Sequence, residues 1–151
     1  MLEPESQSRP PLPRMAVAVL ALLGLLISLY LTLYKLGYLG AIQCGTGGCE
    51  TVQTSTYAFF LGLPVAIWGV AAYAVLLALA LLGVQPRWER ERWVGFALFA
   101  VAGVGVVFSA YLTYLEAAVI QAWCRWCIAS AVVISLIFLA TLPELTRRPH
   151  A

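Results

Sequence analysis

Charge is scarce in this chain. Asp, Glu, Lys and Arg make up 11% of its 151 residues, against 62% hydrophobic. A soluble domain cannot hide that much apolar surface, so the composition demands a bilayer as solvent. The formal net charge is only +2, and no basic tract with interleaved aromatics occurs, which excludes nucleic acid as a partner. The middles of the long apolar runs carry no charged residue, which argues against a transporter. Histidine is all but missing: His150 is the only one, in the tail, where it reads as inert. No A-x-A-like cleavage site follows the first apolar run. That run is therefore read as a retained helix rather than a signal peptide, although Arg9 and Arg14 precede it.

What is present is four apolar runs: Met15–Tyr34, Phe59–Val84, Val94–Leu115 and Cys124–Leu142. Each has about 20 residues or more, enough at about 1.5 Å per residue to cross a hydrocarbon core of roughly 30 Å. The runs are continuous rather than alternating, which predicts helices and not strands. The expected fold is an all-α membrane protein, a four-helix transmembrane bundle over residues 15–142. Residues 1–14 read as a disordered tail and 143–151 as a second tail. Seven of the nine basic residues fall in the two tails and the loop between the second and third runs; only Lys35 and Arg125 lie on the other side. The positive-inside rule then places both termini in the cytoplasm of a multi-pass plasma-membrane protein, with every cysteine facing the exterior or periplasm.

Residues 35–58 form the one long external loop. Its second part, Glu50 to Tyr57, is polar. A short interfacial helix dipping Val52, Tyr57 and Phe59 inward and an unstructured connector are equal readings. Pro64 is expected in the first turn of the second helix or at a kink. An internal echo joins Ser28-Leu29-Tyr30-Leu31-Thr32 to Ser109-Ala110-Tyr111-Leu112-Thr113; it is either a repeat of two helical hairpins or chance similarity near two interfaces.

The four cysteines carry the chemistry. Cys44 and Cys49 bracket a glycine-rich C-G-T-G-G-C, and Cys124 and Cys127 form a C-R-W-C at the head of the last run. The latter pair share one helix face; the helix N-terminus favours a thiolate, the species that attacks disulfides, while burial against lipid opposes it. Cys127 lies nearly one turn deeper, placed for a lipid-soluble oxidant; Cys124 is nearer the surface, placed for a loop cysteine. The pattern predicts electron flow from an outside protein dithiol through Cys44/Cys49 to Cys124/Cys127 and on to a membrane quinone. Three other readings remain open: inert structural disulfides, a closed four-thiolate zinc site, and Cys127 as a small buried hydrophobe. From another class, the chain reads as a non-catalytic metal-binding or assembly subunit.

With these residues, the chain resembles the bacterial branch of the vitamin K epoxide reductase family. The matching words are Ser28-Leu29-Tyr30, the loop G-G-C-E-T-V-Q-T-S ending at Ser55, F-L-G-L-P-V-A-I-W-G from Phe60 to Gly69, and C-R-W-C. The resemblance implies a four-helix bundle around a quinone, ubiquinone or menaquinone, and a thioredoxin-like partner. Many bacterial relatives carry that partner as a fused domain; with the sequence ending at Ala151, a separate protein is expected here. It further implies that Cys44 and Cys49 are the shuttle pair, Cys124 and Cys127 the quinone-side pair, and Ser55 a residue near the site. Tyr57, Trp68 and Tyr73 are quinone contacts by resemblance, and Tyr111 by position. Val65 and Ala131 stand where vertebrate members have an asparagine and a tyrosine, which speaks against epoxide reduction. The other bacterial quinone-linked disulfide generator has its C-x-x-C in the first external loop, the reverse of the order here. Trp88, Trp93 and Trp123 read as interface anchors, and Glu116 as an exposed carboxylate ending the third helix, with a proton-relay role as the alternative.

Overall fold

The computed structural model describes residues 12–38, 40, 51, 52, 54–85, 87 and 91–146. Cys44, Cys49 and Trp88 lie outside the described residues. Four helices carry the chain: α1 (Leu12–Lys35), α2 (Val65–Val84), α3 (Arg92–Tyr114) and α4 (Arg125–Thr146). All four are long and apolar enough to cross a membrane, and the third span continues to Ile120. The protein is the four-helix membrane bundle that the apolar runs predict.

Packing follows the logic of lipid, where apolar attraction between helices gives way to close approach of small residues. Ala21, Ala80 and Ala102 are buried at the helix contacts, while Leu22, Leu23 and Leu26 face outward. Gly24 lets α1 touch the Tyr73 ring of α2, because a Cβ there would collide with it. Around these contacts Leu76, Leu98, Ile134 and Ile137 fill the centre of the bundle.

The helix ends sort into two poles. At one, α1 begins at Leu12, within the stretch read as tail, and Arg14 is buried. Its guanidinium donates to the Gly83 carbonyl at 2.8 Å and to the Glu91 carbonyl at 3.4 Å, tying α1 to both sides of the α2–α3 connection. A cation against the last carbonyls of α2 also complements that helix's dipole. At the other pole stand Lys35, whose Nζ lies 4.4 Å from the Phe59 ring centroid, and the C-R-W-C.

The second span begins later than its apolar run suggests. Phe59–Phe60 and Leu63–Pro64 form a small antiparallel hairpin, Phe59 opposite Pro64 and Phe60 opposite Leu63. Leu61 (φ 53) and Gly62 (φ 82) make its two-residue turn, both left-handed as a type I′ turn requires. Pro64, with no N–H to give to a helix ladder, stands just ahead of Val65 rather than inside α2. Before the hairpin, Thr51, Val52 and Thr54 are helical and Thr56–Ala58 form a 3-10 turn, and of the three residues expected to dip inward Val52 is buried whereas Tyr57 and Phe59 are exposed.

Candidate active site

The last helix starts at Arg125, and Cys124 is the residue before it. The Cys124 sulfur accepts the backbone N–H of Cys127 at 3.4 Å, the bond that a capping side chain makes with the third helical residue. One turn of helix thus holds both sulfurs together, and the first of them sits against the positive end of the α4 dipole.

The path into that turn is unusual. α3 does not end at Tyr114 but widens into a π-helix, Leu115–Ile120. It closes on Gln121, a non-glycine residue in the left-handed region (φ 57, ψ 35), and Ala122 N–H donates to the Glu116 carbonyl at 3.2 Å. This tight reversal turns Glu116 inward. Its carboxylate accepts the Cys124 backbone N–H at 3.2 Å, and its carboxyl is in side-chain hydrogen-bond contact with Cys127. Glu116 is 3% exposed, so the expectation of a solvated helix-end carboxylate is corrected. The correction has a simple cause: the span runs on through the π-helix and carries Glu116 inside the bundle. An acid at that depth marks a functional site by default.

The two sulfurs face different surroundings. Cys127 lines a cavity of about 640 Å³. Cys124 is fully buried (0% exposed) among Leu31, Val52 and Ala66, so it is not the surface sulfur that its place in the chain suggests. Its cover includes Val52, three positions past Cys49. Trp126, between the cysteines, packs on Tyr30 of α1 with ring centroids 4.8 Å apart.

The cavity is walled by α2 and α3, with Ser28 and Leu31 of α1 and Cys127, Ser130 and Ile134 of α4 at its back. Its exposed rim is Trp68 and Phe60 on one side and Ala100 and Val104, the latter 71% exposed, on the other. The opening therefore faces sideways, toward lipid. Phe60 spans its upper edge, edge-on to Phe108 at 5.3 Å, while its carbonyl accepts the Trp68 indole N–H at 2.9 Å. Polar groups inside are few. The Tyr73 hydroxyl meets the Ser130 hydroxyl at 2.8 Å and donates to the Ser130 carbonyl at 2.9 Å.

Of the residues expected at the site, Ser55, Tyr57, Trp68, Tyr73 and Cys127 line the cavity together. Ser55 donates its hydroxyl to the Val52 carbonyl at 2.8 Å, fastening the segment that covers Cys124. Val65 lines the cavity, whereas Ala131 faces a separate shallow groove between α3 and α4. Tyr111 is the expected contact that does not fit. It is 50% exposed beside Phe108, outside the cavity lining, because the face of α3 turned inward runs through Gly105, Phe108, Ser109 and Leu112. The echo is structural in part: Thr32 and Thr113 donate to the carbonyls of Ser28 and Ser109 at 2.7 and 2.8 Å, and both serines line the cavity. Sequence reasoning left out Ser130 and gave Glu116 its outward reading. An acid close to a C-x-x-C and bounded by apolar residues is the signal that would have pointed inward.

A helix-head dithiol with a buried carboxyl, opening on an apolar pocket reached from lipid, defines the class: a membrane thiol oxidoreductase with a lipophilic electron acceptor. A family model for the vitamin K epoxide reductase family matches residues 15–142, and the chain belongs to that family. Membership implies membrane thiol oxidation coupled to a quinone.

Proposed function

We propose that this protein forms disulfides at a plasma membrane, passing electrons from a separate thioredoxin-fold protein to ubiquinone or menaquinone. The observation that carries the reading is the split placement of the α4 pair, Cys127 on the cavity wall and Cys124 beneath Val52. The cavity suits a quinone headgroup: its size lies in the usual range for small ligands, and it is mostly apolar with few polar groups. Tyr57, Trp68 and Tyr73 would hold the ring, and Ser55 would steady the covering segment. A bound quinone supplies an acceptor for two electrons and two protons.

The chain's own sulfurs do the rest. A thiolate of the reduced partner attacks the Cys44–Cys49 disulfide, and resolution by the partner's second thiol leaves Cys44 and Cys49 reduced. Cys49, as thiolate, attacks Cys124; the Cys124–Cys127 bond breaks and Cys127 leaves as thiolate. Cys44 then attacks Cys49, releasing Cys124 and re-forming the outer disulfide. Three residues of chain, at most about 11 Å, separate Cys49 from Val52, which supports Cys49 as the residue that reaches Cys124. Oxidation of Cys124 and Cys127 by the quinone restores their disulfide. The poles of the bundle support both termini on the cytoplasmic side and the sulfurs outside, since Arg14 and the α2–α3 connection share the pole opposite the C-R-W-C.

The test is quinol formation, followed by ultraviolet absorbance, in vesicles holding the purified protein and ubiquinone-1 with reduced thioredoxin added outside. Wild type turns over. Cys127→Ser abolishes turnover, and Cys124→Ser leaves Cys44 and Cys49 stalled as a dithiol. Turnover that persists in Cys127→Ser ends the role given to that sulfur.

A further inference from the structure

We infer that Glu116 is the proton carrier of the inner dithiol, taking the proton from Cys127 and delivering it to the acceptor in the cavity. This rests on the quinone-linked reading above and adds a catalytic residue to it. Two contacts of the carboxyl and its place in the cavity lining point the same way. It accepts the Cys124 backbone N–H at 3.2 Å, which fixes its position relative to the α4 turn. It is in hydrogen-bond contact with the Cys127 thiol. It also lines the cavity, as that thiol does.

The fold sets Glu116 there at some structural cost. The wide π-helix and the left-handed Gln121 are both uncommon, and π-helical turns gather at functional sites. Among the described residues, Cys127 and Glu116 are the acid–base groups that share both the cavity wall and a mutual contact. Tyr73, the other deep titratable group, is occupied by Ser130.

The chemistry balances. Oxidation of the reduced pair joins the Cys124 and Cys127 sulfurs in one S–S bond, releases two electrons and two thiol protons, and turns a quinone into a quinol. Glu116 takes the Cys127 proton as that sulfur becomes a nucleophile and hands it to a quinone oxygen. It then does the same for Cys124, and ends the cycle as it began. In the apolar cavity no other described carboxyl offers that path.

The test compares Glu116→Gln, which keeps size and the acceptor for the Cys124 N–H, with Glu116→Asp, which keeps the acid. In nanodiscs, protein pre-reduced with dithiothreitol is mixed with ubiquinone-1 in a single turnover. Without any quinone, alkylation of Cys127 by N-ethylmaleimide is timed by mass spectrometry. For Gln we expect the quinone step to fall about 100-fold, with Asp recovering much of it, while alkylation is not slowed, because no carboxylate then opposes the Cys127 thiolate. Gln matching wild type in the quinone step overturns the inference, and so does Gln alkylating more slowly than wild type, because the slow quinone step is then a damaged thiol rather than a missing proton carrier. So does Asp as impaired as Gln, because then shape and not the acid is what matters. Absence of quinol formation by the wild type overturns the quinone-linked reading itself, an outcome distinct from either variant's behaviour.

Discussion

Tyr73 holds its hydroxyl between two oxygens of one residue, the carbonyl and the side chain of Ser130. Its ring, meanwhile, lies against Gly24. A single side chain thereby joins α1, α2 and α4 behind the cavity. Removing only the hydroxyl, in Tyr73→Phe, is expected to destabilise the bundle by about 1 kcal/mol, a typical net value for one such bond in water or membrane. A lower thermal midpoint in detergent reads that loss, and a raised KM for ubiquinone-1 with kcat retained reads the disturbed pocket. At this scale the sequence shows which side chains are chemical but not where they aim. Cys127 stands out because C-R-W-C opens the last apolar run, whereas Tyr73 is singled out only by the family resemblance. Tyr111 is misread because its direction depends on the rotation of α3, which packing against α2 and α4 decides.

The hairpin at residues 59–64 is the element that the apolar pattern hides. Phe-Phe-Leu-Gly-Leu-Pro is as hydrophobic as the helix that follows, and hydropathy alone merges the two. Gly62 and Pro64 are the physical clues, one fit for a left-handed turn and the other unfit for a helix interior. Leu61 at φ 53 is 78% exposed and bears a backbone conformation that leucine dislikes. Gly62→Val, a branched residue at φ 82, should cost about 1–2 kcal/mol and lower the thermal midpoint. Leu61→Asn, better suited to the left-handed region, should leave the midpoint unchanged or raise it. A reversed order of the two midpoints would refute this account of the turn. The π-helix is hidden for a related reason. Nothing in Leu115–Ile120 departs from ordinary helix composition, and it is flanked by the reversal at Gln121 and by the bond that the Cys124 N–H donates to Glu116.

The whole molecule was the most legible. Four apolar runs lead to the bundle, because lipid allows few ways to satisfy a backbone, and the family is legible through the four quoted words rather than through composition. What a one-dimensional pattern cannot supply is the cavity, a space left where α2 and α3 diverge and α1 and α4 close the back.

The sideways mouth bounded by Trp68 and Val104 has a thermodynamic corollary. A substrate admitted from the acyl-chain region is met at its mole fraction among lipids, so aqueous concentration is the wrong variable for this enzyme. Doubling the phospholipid at constant protein and quinone should about halve an unsaturated rate, although neither protein nor quinone per litre of buffer has changed. Rates indifferent to that dilution would mean the acceptor arrives through water instead. An isoprenoid tail could also remain among the acyl chains while only the headgroup crosses the threshold, leaving tail length to govern partitioning rather than fit.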